Sequence, residues 1–504
     1  MTDTVAERDG AMERVPTHIP GLDDALEGGL VRGGVYLVGG RPGTGKTTLG
    51  NQLAHAHART GGAVLFATIL SESHERMVAH LQSFAFFDRR QLARGIHYLS
   101  LYDALRDHGL AGVLTQLRDL VRAHGASLLV VDGAQQFERN ASIELEYMRF
   151  TADLQMQLAF LGCTLVLLSD YDGQGTNHIA TVVDGIIILR DESLGLRRLR
   201  LLEVVKLRGG EHLRGQHEFA ITPAGLAVYP RLEALLTARP PVASASRERL
   251  RFGVPGLDAM LHGGLFAAST TLVLGSPGAG KTTSGLHFIV EGARRGEPGL
   301  IVSFHETPPR LVDKAEAAAL ELGRHVQEGR VRILWRPPLE VLLDAWGSEL
   351  LAVAAEHRAQ RLFVDAITDV ERLTLFPPRL PLYLAAFTNE LRARGMTTLL
   401  AAEANGVVGA GLEIPLPAVS ATVENILVLR YVELRSQLHR LVSILKVRQS
   451  AYDTAIREFV ITERGMEVAE TFASAESVLT GIGPMVSAAQ PAPSGDASSS
   501  TPQP

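Results

Sequence analysis

The segment GRPGTGKT, Gly40 to Thr47, recurs as GSPGAGKT, Gly275 to Thr282. Each copy matches G-x-x-x-x-G-K-S/T, follows a short apolar run (VYLV or TLVL) and precedes a stretch that can be helical. A strand, a glycine-rich loop and a helix in that order make a cradle for phosphate. Glycines let the loop wrap closely enough for successive backbone N–H groups to surround the oxygens, and the helix directs its N-terminal partial positive charge at them. Lys46 and Lys281 would supply a full charge for the β and γ phosphates, and Thr47 and Thr282 a hydroxyl for Mg2+. Gly40, Gly43, Thr44, Gly45 and Thr48 complete the expected nucleotide-binding set of the first loop. Gly275, Gly278, Ala279, Gly280 and Thr283 complete that of the second.

The two lysines are 235 residues apart (281 − 46), and so are the glycines of the two PGLD segments (256 − 21). A fixed spacing this long, with matching landmarks, indicates a duplicated domain. In a chain of 504 residues, too long for one ordinary core, the division reads as a first domain over 14–233, a linker over 234–246, a second domain over 247–475 and a disordered tail over 476–504. The linker rests on the polar, Pro- and Ser-containing TARPPVASASRER, and the tail on a run almost free of bulky apolar residues.

Composition excludes several classes. A net charge of −6 offers no global attraction to a polyanion and argues against tight non-specific nucleic-acid binding. No apolar run reaches the ~20 residues of a membrane span, and the charged start MTDTVAERDGAMER has no signal-peptide core. The one cysteine, Cys163, cannot form an intrachain disulfide and lies in an apolar run that reads as a buried strand start. A cytoplasmic location is the simplest expectation.

Within each copy, short apolar runs alternate with helical stretches, which predicts an α/β fold: a mostly parallel sheet flanked by helices. The later segments GIIILR, RRLRLLEVVKLR and HEFAIT, with counterparts ILVLRYVEL, HRLVSILKVR and REFVIT, predict an antiparallel extension. A single long amphipathic stretch runs to His124, Thr307 reads as a helix N-cap and Pro308 as the first helical residue. Ligands of such sheets sit beyond the carboxyl ends of the strands, where Lys46, Glu72, Asp132 and Asp170 fall.

Asp132 and Asp365 each end an apolar run, 86 and 84 residues past their lysines (132 − 46 and 365 − 281). An acid there holds a Mg2+ ligand in place. Glu72 and Glu306 follow the lysines by 26 and 25 residues (72 − 46 and 306 − 281), at the edge of a neighbouring strand, where a carboxylate can orient or deprotonate water opposite the γ phosphate. Lys206 with Arg208, and Lys446 with Arg448, occupy matching places. They are candidates for cations that stabilise transition-state charge from a neighbouring subunit. No N-K-x-D signature of guanine recognition is present, so ATP is expected over GTP.

PGLD, the paired loops, LSES and FHETP, LLVVDG and LFVDA, KLRGGEH and KVRQSAYDTAIREFVIT together resemble the double-domain KaiC family of RecA-like ATPases. The resemblance runs from about Arg14 to about Glu470. It implies two tandem RecA-like P-loop domains, with ATP between adjacent subunits of a homo-hexameric ring of two tiers. The role expected is a signalling or timing module acting on an unidentified protein partner. Two departures matter. The family's paired glutamates are here Ser71 with Glu72 and His305 with Glu306, so one carboxylate remains in each domain. Where the clock proteins carry an adjacent Ser-Thr phosphorylation pair, this chain has Ser420 and Ala421. Serine/threonine autokinase activity at Ser420 and a RecA-like DNA motor stand as the alternative readings.

Overall fold

The computed structural model describes residues 12–69, 74–92, 94–173, 179–238, 247–339, 341–404, 422–434, 436–448 and 450–469. They fall into two compact units. The first is drawn from 1–244, 337–358 and 369–394, the second from 245–336, 359–368 and 395–504.

In the first unit a two-residue ribbon, β1 (Arg14–Val15) with β2 (Leu30–Val31), precedes the sheet. The sheet strands are β3 (Val35–Gly40), β4 (Val64–Thr68), β5 (Ile96–Ser100), β6 (Leu128–Asp132), β7 (Thr164–Ser169), β8 (Gly185–Leu194), β9 (Arg197–Leu207), β10 (Gln216–Thr222) and β11 (Gly225–Tyr229). Their order is β11-β10-β9-β8-β3-β7-β6-β4-β5. From β8 to β5 the neighbours are parallel, and β8 to β11 form the antiparallel extension.

Leu128 to Val131 of β6 are all fully buried. Alternate side chains go to opposite faces, as the period of two requires. Leu128 and Val130 join Leu49 and Leu53 of the helix Lys46–Arg59. Leu129 and Val131 join Val113, Leu117 and Leu154 on the other face. A strand covered on both faces has no polar alternation to show, which explains its continuous apolar run. The amphipathic stretch to His124 is broken at Gly109, whose φ of 62° and ψ of −158° no helical residue adopts. It stops at Gly125, where a left-handed residue closes the helix.

The helices Leu343–His357 and Leu380–Ala393 also belong to the first unit. Glu218 of β10 accepts hydrogen bonds from the backbone N–H of Asp344 (2.9 Å) and Ala345 (3.3 Å), capping the former helix. Arg379 forks onto Glu233 (2.6 and 2.8 Å) and Asp344 (2.6 and 2.9 Å). Glu233 lies on the helix Leu232–Ala238, which occupies the first residues of the segment read as linker. The rest of that segment from 239, and the proposed tail, lie outside the described residues.

The second unit repeats the plan. A ribbon of β12 (Arg249–Leu250) and β13 (Leu265–Phe266) precedes β14 (Thr270–Gly275), β15 (Gly299–Ser303), β16 (Val331–Trp335), β17 (Arg361–Asp365), β18 (Thr397–Glu403), β19 (Asn425–Leu434), β20 (Gln437–Val447), β21 (Arg457–Thr462) and β22 (Gly465–Val468). The order β16-β15-β17-β18-β14-β19-β20-β21-β22 is that of the first sheet, strand for strand. Even the register shift recurs, between Ile186 and Ile187 and between Ile426 and Leu427. Leu286, Phe288 and Ile289 of the helix Lys281–Arg294 pack with Val273, Ile301 and Phe363.

Candidate nucleotide sites

Gly40, Gly43, Thr44 and Gly45 make the turn from β3 into its helix, whose first residues are Lys46, Thr47 and Thr48. Gly275, Gly278, Ala279 and Gly280 lead in the same way to Lys281, Thr282 and Thr283. The glycine before each lysine is required by its backbone conformation. Gly45 and Gly280 have φ of 107° and 104°. A Cβ on Gly45 would also lie 2.5 Å from Ile221 of β10, and one on Gly280 3.0 Å from Ile461 of β21. The antiparallel extension thus holds the loop from the side. Lys46 donates to the carbonyls of Gly40 (2.6 Å) and Arg41 (3.1 Å), and Lys281 to those of Gly275 (2.8 Å) and Ser276 (3.0 Å). Each lysine is therefore folded over its own loop, its ammonium at the mouth of the cradle.

Two strands from each phosphate-loop strand, β6 and β17 end in Asp132 and Asp365. Thr47 Oγ1 donates to Asp132 Oδ2 at 2.7 Å, and Thr282 Oγ1 to Asp365 Oδ2 at 2.7 Å. Burial raises the Asp365 carboxyl above its ordinary value. The Thr282 hydrogen bond, Lys281 and Lys314 oppose that shift, while Glu306 adds to it. A hydroxyl and a carboxylate side by side form a hard-oxygen donor set suited to Mg2+, and a buried carboxylate of this kind gains from a nearby cation.

The strand between, β7 or β18, contributes a further acid that sequence reasoning noticed only as a strand end. Asp170, just past β7, pairs with Lys46 at 3.4 Å. Glu403 ends β18 opposite Gly275. Burial lowers the pKa of Lys281, against the pull of Glu403 and Asp365. Both residues close apolar runs as Asp132 and Asp365 do, so the signal was present. Tyr431, whose hydroxyl donates to the Gly278 carbonyl at 2.7 Å, carried no such signal.

Glu306 follows β15, whose last residue Ser303 is in register with Asp365. Its N–H donates to Ser303 Oγ at 3.1 Å, and its carboxylate accepts from Lys314. Glu72 lies outside the described residues, beyond Thr68, which is in register with Asp132. Ser420 and Ala421 also lie outside them.

The cation pairs stand apart from the loops of their own copies. Lys206 is opposite Ile186, which is opposite Leu37, and Lys446 is opposite Ile426, which is opposite Leu272. Each phosphate loop begins after Gly40 or Gly275, three residues or ~10 Å further along its strand. Lys206 donates to the Thr181 carbonyl (3.4 Å), and Arg208 to those of Thr181 (2.9 Å) and Val182 (3.3 Å). Lys446 donates to the Val423 carbonyl (2.9 Å), and the Arg448 N–H to the Glu424 carbonyl (3.0 Å). Sequence placed these residues together in matching positions; the sheet puts them at the end opposite their own loops.

A family model described as "ATPase: KaiC" matches residues 15–233 and 250–472, one match to each copy. The chain belongs to the KaiC family of ATPases. It is 27% identical over 499 residues to the circadian clock oscillator protein KaiC of Picosynechococcus sp., covering 95% of each chain. It is 26% identical over 488 residues to KaiC of Thermostichus vulcanus, covering 93% of this chain and 92% of that one. KaiC 1 of Synechocystis sp. is 27% identical over 488 residues, with the same shares. As a KaiC-type chain it is a nucleotide-binding protein of two tandem RecA-like domains, as its motifs indicated. No helix among the described residues is long and apolar enough to cross a membrane. Cys163 is buried, and burial pushes its thiol up to about 12, which removes it from nucleophilic chemistry at neutral pH.

Proposed function

We propose that this protein hydrolyses Mg-ATP at two sites per chain, each completed by a neighbouring chain of a six-membered, two-tiered ring. In this reading the nucleotide state is read by a protein partner in the cytoplasm. The observation that carries the reading is the pairing of a helix-start threonine with a strand-end aspartate at 2.7 Å beside a phosphate-loop lysine, in both copies. Thr47 with Asp132, and Thr282 with Asp365, would hold Mg2+, whose charge would offset the negative charge that develops on the phosphates.

Lys46 and Lys281 exchange their loop carbonyls for the β and γ phosphates. Glu72 and Glu306 orient the attacking water and take its proton as the oxygen bonds to the γ phosphorus and the bond to the bridging oxygen breaks, releasing ADP. Lys206, Arg208, Lys446 and Arg448 serve the neighbour's sites. Their place at the far end of the sheet supports this, because cations about 10 Å or more from their own loop are not placed to serve it. The name shared by the relatives, circadian clock oscillator protein, supports a timing role.

The test is phosphate release from ATP by the purified full-length chain, with and without Mg2+. Mg-dependent turnover that yields ADP is expected. ATP bound without turnover in any Mg2+ concentration would contradict the reading.

A further inference from the structure

The second site contains a cation that the loop motif does not predict. The helix Pro308–Glu316 starts two residues after Glu306 and turns Lys314 back over it, so that the ammonium donates to Glu306 Oε1. The side chains are partly shielded, 28% exposed for Glu306 and 40% for Lys314. The pair also stands close enough to Asp365 for both charges to act on that carboxylate.

We propose that Lys314 is a positioning residue that restrains Glu306, so that this contact slows hydrolysis at the second site. The proposal rests on Glu306 being the group that takes the proton from water. A carboxylate that accepts from an ammonium has one oxygen committed to it and is aimed at the helix rather than at a water. Catalysis then requires the pair to part, and Lys314, on a flexible four-carbon stem, is free to do so.

The first copy differs at this position. Glu72 and Glu306 are the second residues of the matching segments SESHERMVAH and HETPPRLVDK, and the residue eight beyond Glu72 is His80, where the second copy has Lys314 (80 − 72 and 314 − 306). The His80 ring packs edge-on against Phe84, with centroids 5.6 Å apart. In sequence, an imidazole that packs on an aromatic neighbour stands where the second copy has the ammonium.

The experiment uses the full chain carrying Lys46→Ala, so that hydrolysis reports the second site. In that background Lys314→Met should raise kcat about two- to five-fold with KM unchanged, the size expected for loss of a partly exposed ion pair. Lys314→Arg, which restores the cation, should return kcat to the slow value. A fall in kcat, or no change, for Lys314→Met would overturn the restraint, as would a rise that Lys314→Arg shares. Glu306→Gln separates the two ideas. Turnover that survives it removes the base assignment itself. Turnover that it abolishes while Lys314→Met brings no gain removes only the restraint.

Discussion

Thr282 and Asp365, 83 residues apart in the chain, are joined by a 2.7 Å hydrogen bond at the mouth of a phosphate loop. Asp365 reaches that place because β18 inserts between β17 and β14, which sets its strand two positions from the loop. The first copy reproduces the bond between Thr47 and Asp132 with the same strand order. Two sites with the same donor set should therefore bind nucleotide separately.

Nucleotide stoichiometry checks this. Lys46→Ala and Lys281→Ala each remove the charge that faces the β and γ phosphates, so each should lose about one site's worth of bound ATP analogue per chain. The double variant should bind almost none. Full stoichiometry retained in either single variant would refute the assignment of that loop.

The two glutamates should separate binding from chemistry. Glu72→Gln and Glu306→Gln keep size and hydrogen bonding while removing the proton acceptor. Turnover at the affected site should fall by roughly 10²-fold or more with nucleotide still bound. Unchanged turnover in the double variant would place water activation elsewhere.

Away from the nucleotide, Arg379 joins Glu233 to Asp344 with side chains mostly withdrawn from solvent. Arg379→Met leaves both carboxylates without their cation and should cost about 3–5 kcal/mol in urea denaturation, provided unfolding stays cooperative. A loss below ~1 kcal/mol would show that water replaces the guanidinium.

The same cluster sets a pH dependence. Burial raises Glu218, with the Asp344 charge adding to the effect, and burial raises Asp344 against the Arg379 hydrogen bonds. For an acid whose folded pKa is raised, the unfolded chain releases its proton first. Between the ordinary carboxylate value and the raised one the folded state holds more protons, so the contribution to stability falls as pH rises through that interval. Glu218→Gln should flatten this part of the curve of melting temperature against pH. A slope identical to the parent's would mean that Glu218 is ionised throughout.

The phosphate loops and the strand-end aspartates were legible because each is a local pattern: glycines at fixed offsets, or an apolar run closed by an acid. The duplication was legible from spacing alone, and the antiparallel extension from the shorter alternating segments after Asp184. Relations across the sheet were not. Neither the insertion of β7 between β3 and β6 nor the position of Lys206 opposite Ile186 follows from anything near those residues in the chain. The Lys314 contact depends on the angle at which a helix leaves β15. Gly109 sits among good helix formers and breaks the helix through its backbone alone. Thr307 takes the N-cap position that sequence gave it, yet its side chain makes no capping hydrogen bond. Pro308, with φ already fixed for the first turn, starts the helix instead.

If each site is completed by a second chain, two inactive chains that lack different halves of the site should restore activity when mixed. Lys206→Ala/Arg208→Ala removes the cations proposed to serve a neighbour, Glu72→Gln removes the proposed base of a chain's own site, and both chains carry Lys281→Ala to silence the second site. Mixed rings should contain some first-copy sites with an intact glutamate on one chain and intact cations on the next. Because a finger-type cation is worth about 10³-fold, ATP hydrolysis by the mixture should rise far above either parent. Mixed rings that hydrolyse ATP no faster than the average of their parents, or a fully active monomer, would contradict the account.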